Sequence, residues 1–175
     1  SNDGRMTMGI DLHGQVTGGV IYAWNFKLVK EGGDGTNLVA NPDFKNGSLK
    51  DWNYAYSGWF EQDANPDPNG VCSAVEYDES LFSDDDTDDG KTYMLKMDMS
   101  KEADQNTERP LFTSVSGLED GTYVFSFDYY NTATAVSGAF YAATWSFWNL
   151  DKQADGGTIG SGRGSVRMTR TFTND

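Results

Sequence analysis

Six aromatic residues stand out for the chemistry they could do: Tyr54, Tyr56, Trp59, Tyr130, Trp145 and Trp148. They belong to a chain in which Phe, Trp and Tyr make up 14% of the residues. Flat rings of this kind stack on the apolar faces of pyranose sugars, and neighbouring Asp, Asn, Gln or Arg side chains bond the hydroxyls. Each ring also has a plainer role as core packing. Trp145 and Trp148 lie three apart on one expected strand, so they point to opposite faces and at most one is core. Tyr130 falls opposite the large-residue face of its strand and is expected to be exposed. Tyr54, Tyr56 and Trp59 border a long loop and fit either role. Trp52 is expected to pack.

A second candidate is the acidic run Asp84-Asp85-Asp86-Thr87-Asp88-Asp89, followed by Gly90. Calcium takes roughly six to eight oxygen ligands, often beside a glycine at a sharp turn. Asp84, Asp86 and Asp88 could supply some of them for a structural calcium. The run lacks the alternation and distal bidentate Glu of an EF-hand loop, and a solvated acidic loop is the plainer reading. Acid pairs such as Asp128 with Glu76 are the nearest thing to glycosidic chemistry. The lone His13 has no nucleophile motif around it, so no enzyme activity is expected.

Composition narrows the classes further. The chain has 175 residues, which fits one domain with a sizeable core. Its formal net charge is −14, against 13 Lys and Arg. That argues against nucleic acid and anionic membrane as partners, since both need a basic face. It suits a secreted or cell-surface setting. One cysteine, Cys72, permits no intramolecular disulfide and is expected to be buried in a strand. No run is long and apolar enough to insert in a bilayer. The start at Ser1 fits a processed secreted protein or a fragment.

The elements that must position these residues read as short strands between turns. Residues 5–12 and 16–30 are expected strands joined at His13-Gly14. Period two puts Val20, Tyr22, Trp24, Phe26 and Leu28 on one face. Glu31 to Thr36 is expected to be a flexible joint, and residues 37–175 the body of the domain. Strands are expected over 51–57, 71–77, 93–99, 110–115, 123–130, 139–150 and 165–173, with a glycine-rich loop at 155–164. Tyr123, Phe125, Phe127 and Tyr129 form the better core face of their strand. The fold class is all-β, an antiparallel β-sandwich.

Four segments carry a family resemblance. Asn37-Leu38-Val39-Ala40-Asn41-Pro42-Asp43-Phe44 with Leu49-Lys50-Asp51-Trp52 resembles the opening of carbohydrate-binding modules with the galactose-binding-like jelly-roll fold. Gly117-Leu118 with Asp120-Gly121-Thr122-Tyr123-Val124-Phe125-Ser126-Phe127 is similar to their central strand. Arg170-Thr171-Phe172-Thr173 is similar to the strand before their final pair, and Gly19 to Leu28 to their last strand. The order is circularly permuted. The resemblance implies a non-catalytic module that binds a polysaccharide or oligosaccharide, often with a structural calcium. Lys45, Trp24 and Asn25 stand where the family often has calcium-binding acids, which counts against that site here. Residues 1–30 then have two possible roles. They could close their own domain as a permuted monomer, folding back beside residues 165–173. Alternatively they could be donated to the next copy, building a fibre by strand exchange.

Overall fold

The computed structural model describes residues 4–10, 18–56, 59–61, 71–81, 92–101, 111–143 and 157–173. At 54–56, 59–61, 101, 138–139, 141 and 143 it describes the backbone alone. The strands are β1 (Met6–Ile10), β2 (Val20–Lys30), β3 (Asn53–Tyr56), β4 (Trp59–Glu61), β5 (Cys72–Glu76), β6 (Tyr93–Asp98), β7 (Leu111–Val115), β8 (Gly121–Asn131), β9 (Val136–Ala143), β10 (Gly157–Ile159) and β11 (Gly162–Phe172). They form a six-stranded sheet in the order β10-β9-β1-β7-β3-β4 and a five-stranded sheet in the order β11-β8-β2-β6-β5. The pairings are antiparallel, and the fold is the all-β sandwich expected from the sequence.

One buried cluster joins the two sheets. Met6, Met8, Ile10, Leu111 and Phe140 enter it from the six-stranded sheet, and Ile21, Phe26, Leu28, Phe125, Phe127 and Met97 from the other. Phe26 lies at its aromatic centre. Its ring centroid is 4.8 Å from Trp52, 4.9 Å from Phe127 and 5.8 Å from Phe44. Trp52 is 1% exposed, as its packing role requires. On β8 the expected alternation holds: Tyr123, Phe125, Phe127 and Tyr129 are buried, and Val124, Ser126, Asp128 and Tyr130 lie on the other face, half-buried. Cys72 is buried in β5.

The face assignment on β2 needs correcting. Trp24 pairs with Asp128 and Lys27 with Ser126, so Asn25 and Phe26 together oppose Phe127 in a β-bulge. Asn25 takes φ 60°, a left-handed conformation that Asn tolerates better than most residues. The extra residue switches the parity of the strand. Ile21 and Ala23 are core before the bulge, and Phe26 and Leu28 after it. Val20, Tyr22 and Trp24 are left on the outer face, away from Phe26 and Leu28.

Two asparagines of the 37–44 motif explain its local shape. Asn37 acts as a false strand neighbour of β2. Its Oδ1 accepts from Leu28 N and its Nδ2 donates to Phe26 O. Asn41, at φ 49°, knits the following loop by donating to the carbonyls of Ser48 and Lys50 and accepting from Lys45 N. Trp52 Nε1 donates to Asn41 O at 3.1 Å, which ties that loop to the core.

The N-terminal strands lie inside the sheets. β1 sits between β9 and β7, and β2 between β8 and β6, all within the same chain. They do not fold back beside residues 165–173, because β11 pairs with β8. Residues 31–36 carry hydrogen bonds from Glu31 N to Thr122 O and from Gly33 N to Lys30 O, and a turn in which Asp34 accepts from Thr36. The segment expected as a strand at 51–57 contains β3, and a separate strand, β4, follows it at Trp59–Glu61. A strand, β10, occupies part of the expected 155–164 loop. Of the expected strand at 139–150, residues 144–150 lie outside the described residues.

Candidate functional site

The bulge in β2 builds a second apolar surface, separate from the core. On the outer face of the five-stranded sheet, Trp24 and Met94 are buried under Tyr22, Val75, Tyr77, Leu81 and Tyr130. Register explains the grouping. Tyr22 pairs with Tyr130 on one side and Lys96 on the other, so strand alternation puts all three on one face. Arg163 opposite Tyr130 and Ser73 opposite Lys96 extend this row across all five strands. The next row holds Ser165, Asp128 and Trp24.

The Tyr22 and Tyr130 rings lie 6.5 Å apart at 43°, both half-buried. Trp24 meets Tyr77 edge-on at 5.9 Å and acts as the floor beneath the patch. Burial pushes the Tyr22 phenol above its ordinary range, and the charges of Asp78 and Asp98 and the neighbouring Tyr130 push it the same way. Tyr22 is therefore a neutral hydroxyl at physiological pH, able both to donate and to accept.

Asp128 is the fixed polar group of the site. One carboxylate oxygen accepts from Asn25 Nδ2 at 3.0 Å, and the other from Ser165 Oγ at 2.6 Å. The bulge that turns Phe26 inward thus also presents the Asn25 amide to Asp128. A carboxylate has capacity for further donors beyond these two, such as a ligand hydroxyl. Arg163 and Ser165 are exposed on the edge strand β11 beside it.

The aromatic residues singled out in the sequence are dispersed. Tyr130 belongs to this face. Tyr54 and Tyr56 on β3 and Trp59 on β4 belong to the other sheet, where β4 is an edge strand. In that hairpin Tyr56 pairs with Trp59 and Tyr54 with Glu61, while on its other side Tyr54 pairs with Leu111 of β7. Trp145 and Trp148 lie outside the described residues, as do Asp84, Asp86, Asp88 and His13. Among the described residues no group of three or more His, Cys, Asp or Glu is placed to hold a metal ion. Asp128 and Glu76 are not brought together. They stand on β8 and β5, three strand spacings or roughly 14 Å apart, beyond the separation glycosidic acid pairs need.

Sequence reasoning missed Tyr22 and the floor residue Trp24 because it carried period two straight through Asn25, and Tyr77 because only cross-strand packing brings it against Trp24. The signal for the bulge was an asparagine in the middle of an apolar strand, a residue type that favours left-handed backbone. Two grooves elsewhere are less suited to stacking. One of about 460 Å³ is lined by Asn41, Lys45, Asn46, Ser48, Lys50 and Asp51, with no aromatic ring. The other, about 530 Å³, includes Tyr123, which is 2% exposed and donates its hydroxyl to Glu119 O.

No protein-family model, curated protein or solved structure matches the chain.

Proposed function

We propose that this chain is a non-catalytic, extracellular carbohydrate-binding module whose sugar-binding face is the outer surface of the five-stranded sheet. The observation that carries the reading is the Tyr22–Tyr130 pair. Two half-buried rings lie 6.5 Å apart on a rigid sheet, over a buried tryptophan floor, beside a carboxylate that already accepts two hydrogen bonds. Such rings present apolar faces to a pyranose, while Asp128, Ser165, Lys96 and Arg163 offer partners to its hydroxyls. The resemblance of the 37–52 and 117–127 segments to carbohydrate-binding modules points the same way. Native affinity electrophoresis through gels containing individual soluble polysaccharides tests it. Retardation by at least one is expected, and free migration in every gel of a broad panel contradicts it.

A second reading keeps the chain as a self-assembling subunit. It is favoured by the placement of β1 and β2, which hold middle positions in both sheets and would tie two copies together if exchanged. Against it stand the hydrogen bonds from Glu31, Gly33 and Asn37 that bind the connecting turn to its own neighbours. Absolute mass in solution separates the two readings.

A further inference from the structure

The outer face differs in charge from the rest of the molecule. The whole chain carries 13 Lys and Arg against 27 Asp and Glu. Register and alternation on β2, β6, β8 and β11 put Lys27, Lys96, Arg163 and Arg167 on the outer face, with Asp98 and Asp128 as the carboxylates of the same strands. Asp78 follows β5 at one end and bears on Tyr22. Among the described residues of these four strands, bases therefore outnumber acids on the outer face. The excess is greatest in the row Arg167–Ser126–Lys27, which joins two exposed cations through a serine and holds no carboxylate.

The distances suit an extended polymer. Arg163 and Arg167 are four residues apart on β11, or roughly 13 Å, and Lys27 lies two strands from Arg167, roughly 10 Å away. The row of Tyr22 and Tyr130 and the row of Lys27 and Arg167 are themselves roughly 13 Å apart, with Asp128 and Trp24 between them. One sugar stacked on the tyrosines and a charged substituent farther along the same chain could be engaged together. Guanidinium groups pair with planar carboxylates or with sulfates through two parallel hydrogen bonds.

We infer that the ligand of this face is an anionic polysaccharide, one bearing carboxylate or sulfate groups, which Lys27 and Arg167 engage while Tyr22 and Tyr130 stack on a ring. The inference rests on the binding reading above and specifies its ligand class. The rest of the chain repels such a polymer at long range. At about 0.1 M salt, charges more than roughly 10 Å away are largely screened, and the contact pairs decide.

The test compares polygalacturonate with its methyl ester, which has the same backbone without the charge, and adds dextran sulfate and a panel of neutral polysaccharides. Affinity is measured at about 0.1 M salt for the wild type, for K27Q/R167Q and for Y22A/Y130A. Tighter binding of polygalacturonate or dextran sulfate than of the methyl ester is expected, and the preferred polymer tells carboxylate from sulfate. K27Q/R167Q, changed at two exposed positions, should lose about ten-fold in affinity for that polymer and none for the methyl ester. Y22A/Y130A should weaken both. Equal or tighter binding of the methyl ester overturns the inference, as does unchanged binding by K27Q/R167Q. Binding confined to neutral polysaccharides and lost in Y22A/Y130A overturns the anionic ligand while leaving the binding module intact. Failure of every polymer to bind overturns both.

Discussion

Asn25 and Asp128 are joined by a 3.0 Å hydrogen bond across the one bulge between β2 and β8. That contact links the interior to the surface. The residue that bends the strand so that Phe26 reaches the core is also the residue that holds the carboxylate of the outer face. Asn25→Ala should cost about 2 kcal/mol, combining left-handed backbone strain with a lost hydrogen bond. Asn25→Gly accepts φ 60° and should cost about half as much. Urea denaturation of the two variants measures the difference. Equal losses would mean the backbone conformation contributes nothing.

Phe26 carries the aromatic contacts between β2 and the 37–52 loop. Phe26→Ala leaves a cavity among Trp52, Phe127 and Phe44 and should cost about 3–5 kcal/mol. That is a large share of a typical domain's stability of about 5–15 kcal/mol. Thermal unfolding followed by near-ultraviolet circular dichroism reads it directly. A loss below about 1 kcal/mol would place Phe26 outside the core.

Deleting residues 1–30 removes a middle strand from each sheet and seven buried core residues: Met6, Met8, Ile10, Ile21, Ala23, Phe26 and Leu28. The remainder should show no cooperative unfolding transition. The intact chain should have the mass of a 19.3 kDa monomer by light scattering at every concentration. A ladder of multiples would favour strand exchange between copies.

Tyr22 gives the face a pH signature. Its phenol is shifted upward first by burial and then by Asp78 and Asp98, so the folded state holds this proton more tightly than the unfolded chain. The resulting stability is fully present below the ordinary tyrosine range near pH 10 and is lost as pH rises through the shifted value. Stability should therefore fall above about pH 10, and Tyr22→Phe should flatten part of that fall. An unchanged profile in Tyr22→Phe would assign the decline to other groups.

Much of the fold was legible because β8 obeys one rule over its whole length. Tyr123, Phe125, Phe127 and Tyr129 alternate with smaller or polar residues, and burial follows that pattern. Trp52 was legible as core. The candidate site was less legible. Its rings come from β2, β8 and the residue after β5, and cross-strand register, not local pattern, brings them together. A single inserted residue at Asn25 reversed which face Tyr22 and Trp24 share. No period-two rule detects a bulge whose sequence mark is one asparagine.

The central claim is that ligand binds the Tyr22–Tyr130 face. Its most direct test is the affinity of Y22A/Y130A for whichever polysaccharide retards the wild type, set beside a Y54A/W59A control on the β3–β4 hairpin. The account predicts at least a ten-fold loss in Y22A/Y130A, or about 1.4 kcal/mol, measured below its melting temperature where the variant is fully folded, and near-normal binding in the control. Full binding by Y22A/Y130A together with loss in Y54A/W59A would contradict it and move the site to the other sheet.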